Sequence, residues 1–269
     1  MKDNTRAKAF FAIPYISWLA VFVIVPIALL VYQSLTNAQG NLTLANFHEF
    51  ITSDVYLPMA FNSVFYALII TAITFVISFP AAYVLSRLKH RQLWLMLIIL
   101  PTWINVLLKT YAFLGLLSKS GLINQLFATL GFGTHNLLFN HVSFIFVAVY
   151  LELPFMLLPI YNSINEIDPD ILKASRDLGA KPVNTLTQLV FPLSINGIKS
   201  GIQAVFIPSL SLFMLTTLIG GNKVMTLGSA IELHFIVTQN WHMGSTIAIV
   251  LIFAMAVTMY FTRERGKRK

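Results

Sequence analysis

Six apolar stretches, each long enough to cross a bilayer, constrain this chain more than any other feature. They run over about residues 10–35, 60–86, 93–118, 142–163, 191–219 and 244–262. A helical span needs about 20 mainly apolar residues. The fifth stretch, which carries Lys199 and Gln203, is the least hydrophobic. Only 10% of the 269 residues are charged and 57% are hydrophobic, whereas a soluble domain carries about 25% charged residues. Such a chain cannot cover itself with a polar surface. The expectation is an all-α polytopic membrane protein with six transmembrane helices, and no polar segment is long enough to form a soluble domain.

The net charge of +8 does not point to nucleic acid, because the basic residues flank the apolar runs in short clusters, as in cytoplasmic loops. Lys2, Arg6 and Lys8 precede the first run, and Arg87, Lys89 and Arg91 lie between the second and third. Lys173, Arg176 and Lys181 lie between the fourth and fifth, and Arg263, Arg265, Lys267, Arg268 and Lys269 follow the sixth. The alternate loops hold only Lys119 and Lys223. Both termini are therefore expected in the cytoplasm of a multi-pass cell-membrane protein. The first run is too long for the roughly 7–15 residue core of a signal peptide, and reads as an uncleaved span. Cysteine is absent, which excludes disulfides and thiolate metal sites. The six histidines show no H-E-x-x-H spacing, and no metal site is expected.

One polar segment stands apart, ILKASRDLGAKPVNTLTQLVFP at residues 171–192. Asp168 can cap a helix beginning at Pro169, with Asp170 in its positive first turn. Ile171, Ala174, Ser175 and Leu178 share one face at helical spacing. Gly179 supplies a C-terminal turn and Pro182 forbids continuation. A short helix over about 168–180 is expected outside the bilayer, with one small-residue face and one charged face. From these features alone it could be a simple amphipathic connector.

Lys173-Ala174-Ser175, three residues, Gly179, nine residues, Leu189, one residue and Phe191-Pro192 resembles the EAA loop of ABC importer permeases, which reads E-A-A, three residues, G, nine residues, I, one residue, L-P. Lys173 stands where that family has Glu, and Ser175 where it has Ala. Asn62-Ser63 and Phe79-Pro80-Ala81-Ala82-Tyr83 resemble the start of the family's shared module. Leu100-Pro101-Thr102-Trp103, Lys109-Thr110-Tyr111-Ala112, Arg176-Asp177-Leu178-Gly179-Ala180 and Phe206-Ile207-Pro208-Ser209 are similar to the spermidine/putrescine group within it. His242 and Ser211 depart from that group, where Pro and Gly are expected.

The resemblance implies a type I ABC importer permease fold. Residues 1–59 would form an N-terminal arm, first span and external loop, residues 60–262 the permease module, and 263–269 a basic tail. It implies that Lys173, Ala174, Ser175, Arg176, Asp177, Leu178, Gly179 and Pro192 belong to a coupling segment seated on a cytoplasmic ATPase dimer. It further implies a second, related permease subunit, an extracytoplasmic polyamine-binding protein and surrounding lipid. This chain has no G-x-x-x-x-G-K-[ST] loop, so ATP and Mg would be bound by the partner, and this chain would be no enzyme. Permeases for thiamine, iron or sulfate share the same logic and remain the alternative.

Charges within the bilayer cost on the order of 2.5–3.5 kcal/mol each on insertion scales. Lys109 and Glu152 fall at similar depth, roughly 13–15 Å below the outer surface. Two roles stay open for Glu152. It can pair with Lys109, or it can meet a substrate ammonium in the pathway with Trp103, Tyr111 or Tyr150 adding cation–π contact. Trp18, Trp94 and Trp241 suit interfacial anchors. A membrane enzyme would need a clustered nucleophile or acid–base set that the sequence lacks. A solitary secondary transporter would show paired broken spans in two repeated halves, and no clear internal repeat is visible.

Overall fold

Leu, Ile, Val and Phe dominate the spans, so each folds as a helix that satisfies its own backbone polar groups. The computed structural model describes residues 12–221 and 223–262. The basic residues Lys2, Arg6 and Lys8, the first residues of the first span and the tail 263–269 lie outside the described residues. In chain order the helices are α1 Ala12–Ser34, α2 Ala45–Thr52, α3 Tyr56–Arg87, α4 Arg91–Ile99, α5 Val106–Leu117, α6 Leu122–Thr129, α7 His141–Asn165 and α8 Pro169–Asp177. After these come α9 Pro182–Leu193, α10 Ile195–Ser209, α11 Phe213–Leu218, α12 Leu227–Val237 and α13 Trp241–Thr262. Among the described residues the only β pairing is an isolated antiparallel bridge between Thr36 and Leu42.

The chain divides into two units, residues up to Pro58 with Ala230–Phe253, and Met59–Ser229 with residues from Ala254 onward. In the first unit, the Asn46 amide donates to the carbonyls of Ser34 (3.1 Å) and Thr36 (3.0 Å). This fastens α2 to the end of α1. Phe50 stacks on Tyr56, whose hydroxyl lies 2.9 Å from His234 Nε2. His234 is buried, and desolvation holds its pKa below the usual value although Glu49 pulls the other way. A neutral imidazole therefore suits this site near pH 7.

In the second unit, α7 is the centre of the core. Phe144, Val147, Ala148, Met156 and Ile160 on it are fully buried. Tyr66 meets His141 (2.6 Å) and Ser78 reaches the Leu153 carbonyl (3.4 Å), so the same twelve-residue interval separates the two links on each helix, and α3 and α7 run parallel. Helix α10 crosses α7 the other way through two small residues. A Cβ on Gly197 would lie 2.4 Å from the Pro159 carbonyl oxygen, and one on Gly201 would lie 2.8 Å from Met156 Sδ. Without water to drive helices together, close backbone approach at small residues is what packs them in a membrane. The sequence Gly197-Ile-Lys-Ser-Gly201 carries the G-x-x-x-G spacing for this contact.

The spans differ from expectation in two places. The third, expected over 93–118, is broken: α4 runs into a 3-10 turn at Leu100–Trp103, and α5 starts afresh after Asn105. Asn105 is extended (ψ 136°), and its side chain accepts the Leu107 N–H at 2.8 Å, capping a new helix. The apolar segment long enough to cross is then Val106–Thr129, α5 and α6 together. The fifth, expected over 191–219, bends by 75° between α9 and α10. Pro192 cannot donate to the helix before the bend, and α11 forms only after a break at Ser211 and Leu212. Among the described residues five helices are thus long and apolar enough to cross alone, and a sixth crossing requires counting the bent pair as one.

Candidate functional site

The polar segment folds as two helices joined by a tight turn. The Asp170 N–H donates to Asp168 Oδ1 at 2.9 Å, which opens α8. At its end Gly179 takes φ +78°, and the Ala180 N–H reaches back to the Ser175 carbonyl at 3.1 Å. This is the six-to-one bond of a Schellman turn, in which a left-handed residue ends the helix. The structured helix is Pro169–Asp177, shorter than the expected 168–180 because the turn consumes its last residues.

One side of α8 belongs to the core and the other does not. Leu172 is 4% exposed, whereas Leu178 is 88% exposed and Ile171 44%. Ala174 is exposed and Ser175 half-buried, with Ser175 Oγ 3.2 Å from Thr185 Oγ1 on α9. The face expected to carry Ile171, Ala174, Ser175 and Leu178 is therefore mostly open, and the inward anchor is Leu172, which sequence spacing did not single out. Lys173 pairs with Asp170 at 2.8 Å, both highly exposed, a contact worth about 0–1 kcal/mol. Asp177 is exposed on the helix's last turn. The Arg176 side chain lies outside the described set. Beyond the turn, Phe191 packs edge-on against Phe79 (5.6 Å) and Phe75 (6.4 Å) of α3, so the end of the segment grips a span.

Deeper in the membrane, Phe113 packs against Tyr150 (4.9 Å) and Phe146 (6.2 Å). This sets α5 beside α7 and brings Lys109 level with Glu152. The two charges interact electrostatically. Among the described residues, however, the ion pair that closes within 4.0 Å is Lys173–Asp170, and Lys109 and Glu152 stay wider apart. Glu152 is 7% exposed and points into the chain's own bundle. Lys109 and Tyr150 line a cavity of about 280 Å³ with Pro101 and Thr102. Trp103 and Tyr111 are exposed and do not line it. The four pathway candidates therefore do not converge on one site.

An exposed, capped helix thus stands beside a bundle of broken and bent apolar helices. The chain belongs to the family described as the binding-protein-dependent transport system inner membrane component, whose model matches residues 74–263. It is similar to the spermidine/putrescine transport system permease protein PotB of Haemophilus influenzae, with 32% identity over 261 residues, 93% of this chain and 91% of that protein. The Inner membrane ABC transporter permease protein YdcU of Escherichia coli K12 is 28% identical over 247 residues, covering 84% of this chain and 76% of that one. Among solved structures, a chain of a bacterial ABC transporter involved in the import of the acidic polysaccharide alginate superposes with a TM-score of 0.83 at 16% identity, covering 99% of each chain. That likeness concerns the fold. The chain is a multi-pass membrane protein and a permease subunit of an ABC importer.

Proposed function

We propose that this permease carries polyamines, spermidine or putrescine, across the cell membrane as half of a translocation pathway. The observation that supports this most is the 32% identity to a spermidine/putrescine permease along nearly the whole chain. The other half would come from a second, related permease. ATP and Mg would be bound by a cytoplasmic ATPase dimer on which α8 sits, since this chain carries no phosphate-binding loop. An external binding protein would deliver the substrate; a solved alginate transporter that shares this fold is in complex with its pentasaccharide-bound periplasmic protein. With α8 in the cytoplasm, both termini lie there too.

In this arrangement ATP binding closes the ATPase, and α8 follows it. The Ser175–Thr185 contact and the Phe191 grip on α3 pass that displacement to the spans. The test is ATP hydrolysis by the complex in liposomes. Spermidine-loaded binding protein is expected to stimulate it, and stimulation by sulfate, iron or thiamine carriers instead would reassign the substrate.

For Glu152, burial supports the structural role: it balances Lys109 across α5 and α7. Glu152→Gln is expected to lower the yield of assembled complex several-fold by leaving Lys109 uncompensated in lipid. Adding Lys109→Met should restore it. Full assembly of the single variant with transport lost would assign Glu152 to the pathway.

A further inference from the structure

The loop between α3 and α4 is basic without any matching acid. No Asp or Glu occurs between Asp54 and Glu152, yet Arg87, Lys89, His90 and Arg91 follow one another across the turn. Two clefts meet there. One, of about 230 Å³, is walled by Ser86, Arg87, Arg91 and Asn165, with Pro169 and Leu172 of α8. The other, of about 260 Å³, wraps the start of α4 from Lys89 to Leu93. Arg91 lines both.

The two guanidiniums are held in place but, among the described residues, not neutralised. Arg87 lies over the Tyr83 ring at 5.2 Å, and Arg91 Nη1 donates to Asn165 Oδ1 at 2.7 Å. Each guanidinium has five N–H donors, so most remain to serve a ligand. The nearest carboxylates in sequence across the cleft, Glu166 and Asp168, wall neither cleft. Neither pairs with Arg87 or Arg91, since the ion pair among the described residues is Lys173–Asp170. The first residues of α4 receive no side-chain cap from His90, and such uncapped N–H groups favour an anion.

The depth is that of a lipid headgroup. Helix α3 has 32 residues, about 48 Å at 1.5 Å per residue, against a hydrocarbon core of about 30 Å. At least one end must stand beyond the core, and the cost of a charge within it favours the Arg87 end. Trp94, 49% exposed, follows Arg91 by about one turn of α4, with Leu93 and Leu97 exposed at 57% and 52%. An exposed Trp beside basic residues marks the membrane interface, and the leucines continue into an apolar surface fit for an acyl chain.

We propose that this double cleft binds an anionic phospholipid of the cytoplasmic leaflet, its phosphate between Arg87 and Arg91 and its chain along Leu93 and Leu97. Because Pro169 and Leu172 wall the same cleft, the bound headgroup touches the base of α8, and lipid charge bears on how that helix is held. The cytoplasmic placement rests on the orientation proposed above.

The test uses the complete importer in nanodiscs of phosphatidylcholine with phosphatidylglycerol. Retained phosphatidylglycerol is counted by native mass spectrometry, beside a binding assay with inorganic phosphate. The R87Q/R91Q chain is expected to bind phosphatidylglycerol about 30-fold more weakly, from two charges near a membrane surface. Unchanged retention would overturn the proposal, as would inorganic phosphate bound as tightly as the lipid. Should the double variant fail to assemble, photoactivatable phosphatidylglycerol on the unaltered importer decides. Cross-links concentrated in residues 84–97 support the site, and cross-links spread evenly over the spans overturn it.

Discussion

Gly179→Asp is expected to abolish ATP-driven uptake while leaving the chain inserted and folded. At φ +78° the new side chain bears a left-handed backbone, a strain of about 1–2 kcal/mol at most, which Asp tolerates better than most residues. Space within the chain does not oppose it, because a Cβ at Gly179 meets nothing within 4 Å. The chain's own stability therefore falls by no more than that backbone strain. A loss of transport by orders of magnitude must then arise from something seated against the turn, beside the exposed Leu178. Membrane insertion, checked by protease protection, should match the unaltered chain, while ATPase co-purification or substrate-stimulated hydrolysis collapses. Gly179→Asn, equally at ease in the left-handed region, controls for backbone geometry. It should fail as well, because its side chain fills the same space.

Gly197→Leu is expected to fail earlier, at assembly. Even the first carbon of that side chain would lie 2.4 Å from both the Pro159 carbonyl oxygen and Ser163 Cβ. A backbone oxygen cannot step aside, so α10 must leave α7. Overpacking by small groups costs about 1–3 kcal/mol, and a whole isobutyl group at a backbone contact costs more. The variant should give no folded complex by size-exclusion chromatography in mild detergent. Gly201→Ala should be milder, because the first atom it meets is the movable Met156 sulfur at 2.8 Å. Gly115→Ala, on α5 with nothing within 4 Å, should be neutral or slightly stabilising, since Ala is the better helix former. If Gly197→Leu assembled normally, the α7–α10 crossing described here would be wrong.

How much the sequence showed differs from element to element. Helix α8 was legible almost to its ends, because capping, left-handed glycine and proline act within a few residues. Apolar length likewise predicted the spans around α1, α3, α7 and α13. The break at Asn105 is hidden from hydropathy, which averages over such a residue, although an Asn ahead of a helical run is a capping signal. The bend at Ser194 is hidden for a similar reason: Phe191-Pro192 fits the family motif, and its proline also permits a kink. Leu172 escaped because helical spacing groups residues without saying which group faces the protein. The pathway set was the least legible. Tyr150 and Glu152 lie about 3 Å apart along α7, but rotation about the helix axis separates them by about 200°, and only packing reveals where each points.

The most direct measurement is uptake of labelled spermidine into liposomes holding this chain with its neighbouring permease and ATPase, with binding protein outside and ATP inside. Accumulation that requires ATP and disappears with Gly179→Asp is the expected result. Accumulation by this chain alone, without ATP, would contradict it.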